Sequence, residues 1–193
     1  MKTPTSQRRQ RGTFIVEFAL CVGVFLLMVL SIIEVSRALY MWNTLQEVTR
    51  RAARAATTTD FTDLAAMDKL RRDAMFSDGS GRLAFGAPMT DQHILVDYLS
   101  LQNSGTNSTQ VPIPSGSLPG CPARNRLTCT ADSNSPNCIR FVRVRVCAPG
   151  TNCAPVAHQT LVSLIDLPMN LPTSTTIMRA ESLGYKPGMP MCD

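Results

Sequence analysis

The chain of 193 residues has room for one domain of ordinary size and an anchoring segment, but not for a second large domain. Its formal charge of +5 gathers at the N-terminus, where residues 1–12 hold Lys2, Arg8, Arg9 and Arg11 without an acid. Residues 13–193 are then nearly neutral, with 15 basic side chains (19 less those 4) against 14 acidic ones. That balance argues against nucleic acid as a partner, because Arg50, Arg51, Arg54, Arg71, Arg72, Arg140, Arg143 and Arg145 are scattered among acids and apolar residues rather than gathered into a basic footprint.

After the basic leader, residues 13–33 read TFIVEFALCVGVFLLMVLSII, with a single charge. At about 1.5 Å per residue such a helix crosses a hydrocarbon core of roughly 30 Å. The flanking cations hold its N-terminal end in the cytoplasm, so the residues beyond about position 34 are expected on the far side of the membrane. A secretory signal peptide would end in a small-residue cleavage site, yet Ile33 is followed by Glu34, Val35, Ser36 and Arg37, which continue as helix. Glu17 is costly inside an apolar run, by about 2.5–3.5 kcal/mol at mid-membrane and less near the interface, so a plain anchor would avoid it.

A basic leader, Gly12, then Thr13 as first and Glu17 as fifth residue of an apolar helix together resemble the type III signal cut by prepilin peptidases. The resemblance implies cleavage between Gly12 and Thr13 and removal of residues 1–12, with the helix left attached. It also implies that the Glu17 carboxylate pairs with the new N-terminal amine of a neighbouring subunit during assembly. The following stretch, Glu17-Phe18, then Glu34, Arg37 and Ala38, then Ala52, Ala53, Arg54, Ala55 and Ala56, is similar to TadE-like proteins, the pseudopilins or minor pilins of the tight-adherence (Tad/Flp) pilus. A weaker echo appears near the C-terminus in CIRFVRVRVCA, TLVSLIDLP and TTIMRAES. The partners implied are the prepilin peptidase, other pilin-like subunits (a second pseudopilin, the major Flp pilin or both), the inner-membrane assembly platform and the membrane itself. The function implied is a structural subunit in biogenesis of an adhesive, biofilm-forming pilus. A competing possibility is a membrane-tethered envelope binding protein or adhesin outside any filament.

Residues 34–58 are expected to extend the helix as far as Ala56, with Val35, Ala38, Leu39, Trp42, Leu45, Val48, Ala52, Ala55 and Ala56 forming one apolar stripe. Glu34 with Arg37, and Glu47 with Arg50 and Arg51, sit at helical pairing distances and read as a solvated face. Residues 57–60 are poor helix formers. Asp60 is expected to cap a second helix running to about Phe76, with Leu64, Met67, Leu70, Ala74 and Met75 turned inward, before a turn at residues 77–81. Strand-like runs follow at residues 82–85, 93–101, 139–147 and 156–166, while residues 101–120 read as an exposed polar loop. The fold class expected is α+β: a long transmembrane and spine helix, then an exported domain at 59–193 in which a second helix packs on a small antiparallel sheet.

Six of the seven cysteines, Cys121, Cys129, Cys138, Cys147, Cys153 and Cys192, lie in the last 73 residues, so residues 121–193 form a disulfide-rich region. Zinc would call for closely spaced pairs, and the chain has only His93 and His158 to add, so disulfides in an oxidising compartment are favoured over metal. Six cysteines allow about 15 pairings, which the sequence leaves open. Cys21 reads as a small apolar filler. No nucleotide-binding or hydrolase motif is present, and His93 with Asp91 and Asp97 nearby reads as a half-exposed strand rather than a triad. Neither enzymatic activity, a cofactor nor a resident metal is expected.

Overall fold

The computed structural model describes residues 11–76, 81–161 and 168–192. Helix α1 (Arg11–Ala56) runs without a break for 46 residues, about 69 Å at the α-helical rise. It carries the chain out of its apolar segment and into the core of the domain. Gly23 interrupts the apolar run without ending the helix, since neighbouring turns continue to supply hydrogen bonds.

Helix α2 (Leu64–Ala74) packs on the distal part of α1 and buries Met67, Leu70 and Ala74. Its N-cap is Asp63 rather than the expected Asp60: Asp63 Oδ1 accepts the Ala66 N–H at 3.0 Å, while Asp60 Oδ1 takes the Thr62 N–H and hydroxyl in the preceding turn. With the cap moved, Leu64 becomes the first helical residue and is exposed, whereas Met75 is buried as expected. The expected turn at 77–81 lies outside the described residues except for Gly81.

Strands β1 (Ile94–Ser104), β2 (Asn107–Pro112), β3 (Phe141–Val146) and β4 (Thr175–Arg179) form an antiparallel sheet in the order β2-β1-β3-β4. In β3 the alternation of Val142, Val144 and Val146 with Phe141, Arg143 and Arg145 sends the valines into the core. There they meet Met41, Leu45, Val48, Ala52, Ala53 and Ala56 of α1 together with the buried residues of α2. On the opposite face Asp97, directly across from Arg143, accepts hydrogen bonds from both Arg143 and Arg145 at 2.7–3.0 Å. The C-terminal segment closes on the end of α1 through Glu181 and Leu183, whose N–H groups donate to Thr57 O at 3.2 and 2.9 Å. Gly184 permits this approach, since a Cβ there would lie 2.7 Å from Asp60.

Three expectations change, and one further element appears. Residues 82–85 form only a single bridge, Arg82 to Thr90, because the chain turns back at Gly86; residues 156–161 likewise contribute one bridge, Ala157 to Asn170, and 162–167 lie outside the described residues. The polar stretch 101–120 is largely a hairpin: Gly105, at φ 63°, opens a two-residue turn, and β2 is mostly exposed, so polar side chains serve it as well as apolar ones. Residues 122–131 form helix α3 (Pro122–Ala131), started by proline at its first position. Finally, the apolar stripe of α1 divides. Ala38, Leu45, Val48, Ala52 and Ala56 are buried, while Val35, Leu39 and Trp42 are exposed, their place against the domain being taken by Glu34, Arg37 and Met41.

Candidate functional site

The N-terminal half of α1 bears a surface that no other described residue covers. Phe14, Ile15, Val16, Phe18, Leu20 and Val24 are all at least 60 % exposed. None of its most apolar 18-residue window, of mean hydropathy 2.7, is buried, and the helix is long and apolar enough to cross a membrane. An apolar surface of this extent in a folded chain is a contact surface for lipid or neighbouring protein. Within it Glu17 is exposed and has no hydrogen-bond or ion-pair partner among the described residues. Gly12 and Thr13 lie in the first turns of α1, but their side chains fall outside the described residues, so the expected cleavage point has a place in the chain and no described geometry.

Burial along α1 begins abruptly at Glu34, and the first charged pair is not solvated. Glu34 and Arg37 are only 2 % and 7 % exposed, which overturns the solvated-face reading for this pair. One turn of helix brings Arg37 Nη1 to 3.1 Å from Glu34 Oε1. The same carboxylate oxygen lies 2.9 Å from His158 Nε2, and Oε2 accepts the Leu161 N–H at 3.2 Å. Arg37 spends its other donors on three backbone carbonyls: Nε on Phe85 O at 2.8 Å, Nη2 on Ala87 O at 2.9 Å and Nη1 on Gln159 O at 2.6 Å. Two distant segments, 85–87 and 158–161, are thereby clasped to a single helical turn. Burial by itself would raise the Glu34 carboxyl, but the hydrogen bonds from His158 and Leu161 and the charges of Arg37 and His158 outweigh it, and the group is held below its ordinary value of 4.5. His158 Nδ1 is buried without a partner among the described residues. Farther along α1, Glu47 and Arg51 do form the exposed pair expected, at 3.5 Å.

His93 is buried rather than half-exposed. It sits in a short turn before β1, with its Nδ1 accepting the Thr90 N–H at 3.1 Å, and burial pushes its imidazole below the ordinary value despite the nearby Asp91 carboxylate. Asp97 is committed to its two arginines. The two histidines serve separate clusters, and among the described residues no group of three His, Cys, Asp or Glu side chains is placed to hold a metal ion.

Residues 12–54 match the family model of TadE-like protein. This segment is similar to TadE-like proteins. The matched stretch takes in Glu17, the apolar surface, Glu34 and Arg37, and it stops near the end of α1. No curated protein and no solved structure matches the chain.

The six distal cysteines pair as Cys121–Cys192, Cys129–Cys138 and Cys147–Cys153. The first ties the C-terminal end to the start of α3; the other two close short loops on either side of β3. Cys21 is a free thiol, exposed on the apolar helix surface. The resemblance drew attention to Glu34 and Arg37 without revealing their burial, because their partners lie 48 to 127 residues away in sequence. His158 carried no sequence signal, and only the fold brings it to Glu34.

Proposed function

We propose that the chain is a pilin-like subunit that takes part in building a Tad-type pilus for surface adhesion. In this reading prepilin peptidase cuts between Gly12 and Thr13 and removes the basic leader. Residues 13–33 then hold the subunit in the inner membrane, with its C-terminal domain on the exported side, until the assembly platform draws it together with other pilin-like subunits. The observation that carries the reading is Glu17, an unpartnered carboxylate on an exposed apolar helix that runs directly into the domain core. A carboxylate in such surroundings needs a cation, and the ammonium freed at Thr13 of a neighbouring subunit is one of the right charge at the right end of the helix. The TadE-like match over this segment supports the same reading.

Intact-mass measurement of the protein recovered from membranes tests the cut. The expected mature chain begins at Thr13, and a chain that still begins at Met1 in cells with active peptidase refutes processing. Glu17→Ala is expected to be cut normally and to disappear from sheared pilus fractions. Undiminished incorporation of that variant would remove the amine-pairing role.

A further inference from the structure

Two large apolar side chains of the domain stand bare at the level where α1 leaves its apolar segment. Phe85 is 83 % exposed and Leu161 is 61 % exposed. Both belong to the segments clasped by Glu34 and Arg37: Phe85 O accepts Arg37 Nε at 2.8 Å, and the Leu161 N–H donates to Glu34 Oε2 at 3.2 Å. Residues 34 and 37 follow Ile33 by one and four positions, so they stand roughly 2–6 Å along the axis from the end of the 13–33 segment. For a bilayer crossed by that segment, this is the depth of the interface between hydrocarbon and headgroups.

The loop that displays Phe85 is stiff. Leu83 N–H donates to Met89 O at 3.2 Å, Gly86 N–H to Leu83 O at 3.1 Å and Met89 N–H to Gly86 O at 2.8 Å. A Cβ on Gly86 would come within 2.5 Å of the Leu83 side chain, so the turn is built around a glycine. Phe85 itself sits at φ 55°, a region bulky residues avoid, and this backbone is held in place while the ring remains outside the core. Residues 83–90 contain no ionisable side chain, and residues 154–161 contain only His158, which is buried. Glu34 and Arg37 are withdrawn and paired. Within these spans the loops offer apolar groups with no charge of their own to desolvate, and the exposed Arg82 borders them beside Leu83, where its long side chain can reach up to the headgroups.

We propose that residues 83–89 and 159–161 form a lipid-docking foot, with Phe85 and Leu161 entering the interfacial layer of the bilayer that residues 13–33 cross. The foot fixes the height and tilt of the domain on the membrane before the subunit is extracted. Lipid is the occupant because the patch continues the bare apolar surface of α1 at Ile32, Ile33 and Val35, each 50–55 % exposed, at the depth where that surface meets the headgroups.

The inference rests on the membrane-spanning reading, and the test keeps the two apart. The full-length protein has one tryptophan, so Trp42→Phe supplies a background in which an added indole reports alone. Phe85→Trp, Leu161→Trp, Phe25→Trp and Leu127→Trp would each be reconstituted in phosphatidylcholine vesicles with plain or brominated acyl chains. Phe25 marks the span, and Leu127 an exposed site on α3 next to the opposite end of β3. The expected result is bromine quenching at positions 25, 85 and 161 and none at 127. Quenching at 25 alone overturns the foot and leaves the span standing. Loss of quenching at 25 as well removes the span, and the foot with it. A blue-shifted but unquenched indole at 85 and 161 shows a neighbouring protein in place of lipid and also overturns the proposal.

Discussion

Arg37→Ala removes one ion pair and three hydrogen bonds to backbone carbonyls at a single stroke. The Glu34 carboxylate stays buried at 2 % exposure with only His158 and Leu161 left to hold it, and the carbonyls of Phe85, Ala87 and Gln159 lose a charged donor. Breaking a buried pair by deleting one partner costs about 3–5 kcal/mol, most of it the stranded charge. The carbonyls add less, since they are only partly buried and water can reach them. A loss of about 3–5 kcal/mol is a large share of the roughly 5–15 kcal/mol that holds an ordinary domain together. Urea unfolding of the full chain in detergent micelles, with disulfides intact, reads this through Trp42, which lies on α1 five positions beyond Arg37. Glu47→Gln, at an exposed pair 3.5 Å apart, is the control and should cost less than about 1 kcal/mol. If Arg37→Ala costs no more than Glu47→Gln, the cluster is not the clasp described. A double-mutant cycle with Glu34→Gln and Arg37→Met should show coupling above the roughly 0.5 kcal/mol scatter of independent sites.

Acid should weaken the fold in two stages. His93 is held below 6.5, so its unfolded form binds the proton more readily; its contribution is complete above about pH 6.5 and declines as the pH falls beneath that value. Glu34 is held below 4.5, so its contribution is complete above about 4.5 and is lost as the pH falls through the lowered folded value. Glu34→Gln should flatten only the second stage in a series of unfolding curves from neutral to acid pH, and an unchanged acid slope would contradict this. Among the disulfides, chain entropy makes Cys121–Cys192, which spans 71 positions, worth about 4.4 kcal/mol, against roughly 2.2 kcal/mol for Cys147–Cys153, which spans 6. The paired substitution Cys121→Ser with Cys192→Ser should therefore lower the unfolding midpoint more than Cys147→Ser with Cys153→Ser. Alkylation of the denatured, non-reduced wild type should label Cys21 alone; labelling of any other cysteine would contradict the pairing.

What the sequence made legible followed from strong, local signals. A 21-residue apolar run, a three-to-four spacing and a cluster of six cysteines each map onto one structural outcome, and α1, the inner face of α2 at Met67, Leu70 and Ala74, and the stapled C-terminal region appear as expected. The runs that became β1 and β3 were legible because apolar and β-favouring residues gather there between segments rich in Gly, Pro or Asn. β2 was not, because an exposed strand next to a glycine turn has the composition of a loop. β4 was only glimpsed in TTIMRAES, since an edge strand with every second residue exposed carries little apolar signal. Asp63 and Asp60 stand three residues apart and both precede helix-forming residues, so composition alone could not choose the cap.

The inversion of α1 near residue 34 has a different origin. Periodicity assigns apolar residues inward, and here Val35, Leu39 and Trp42 stay out while Glu34 and Arg37 go in. Burying a charge is tolerated only where its hydrogen bonds are met, and among the described residues the partners that meet them are mostly backbone: three carbonyls for Arg37 and one N–H for Glu34, with His158 the one side chain contributed by the domain. Backbone partners place no demand on residue type, so the domain half of the clasp leaves almost no trace in sequence. The TadE-like match covers the helix, with its glutamate and arginine, and ends at residue 54. One consequence separates the clasp from an ordinary side-chain network. Gln159→Ala removes an exposed side chain but keeps the backbone carbonyl that accepts from Arg37, and it should leave the unfolding free energy within about 0.5 kcal/mol of wild type. His158→Ala removes a side-chain partner of a buried carboxylate and should cost roughly 1–3 kcal/mol or more. Comparable losses at the two positions would mean that side chains, not the backbone, hold Glu34 and Arg37 against the domain.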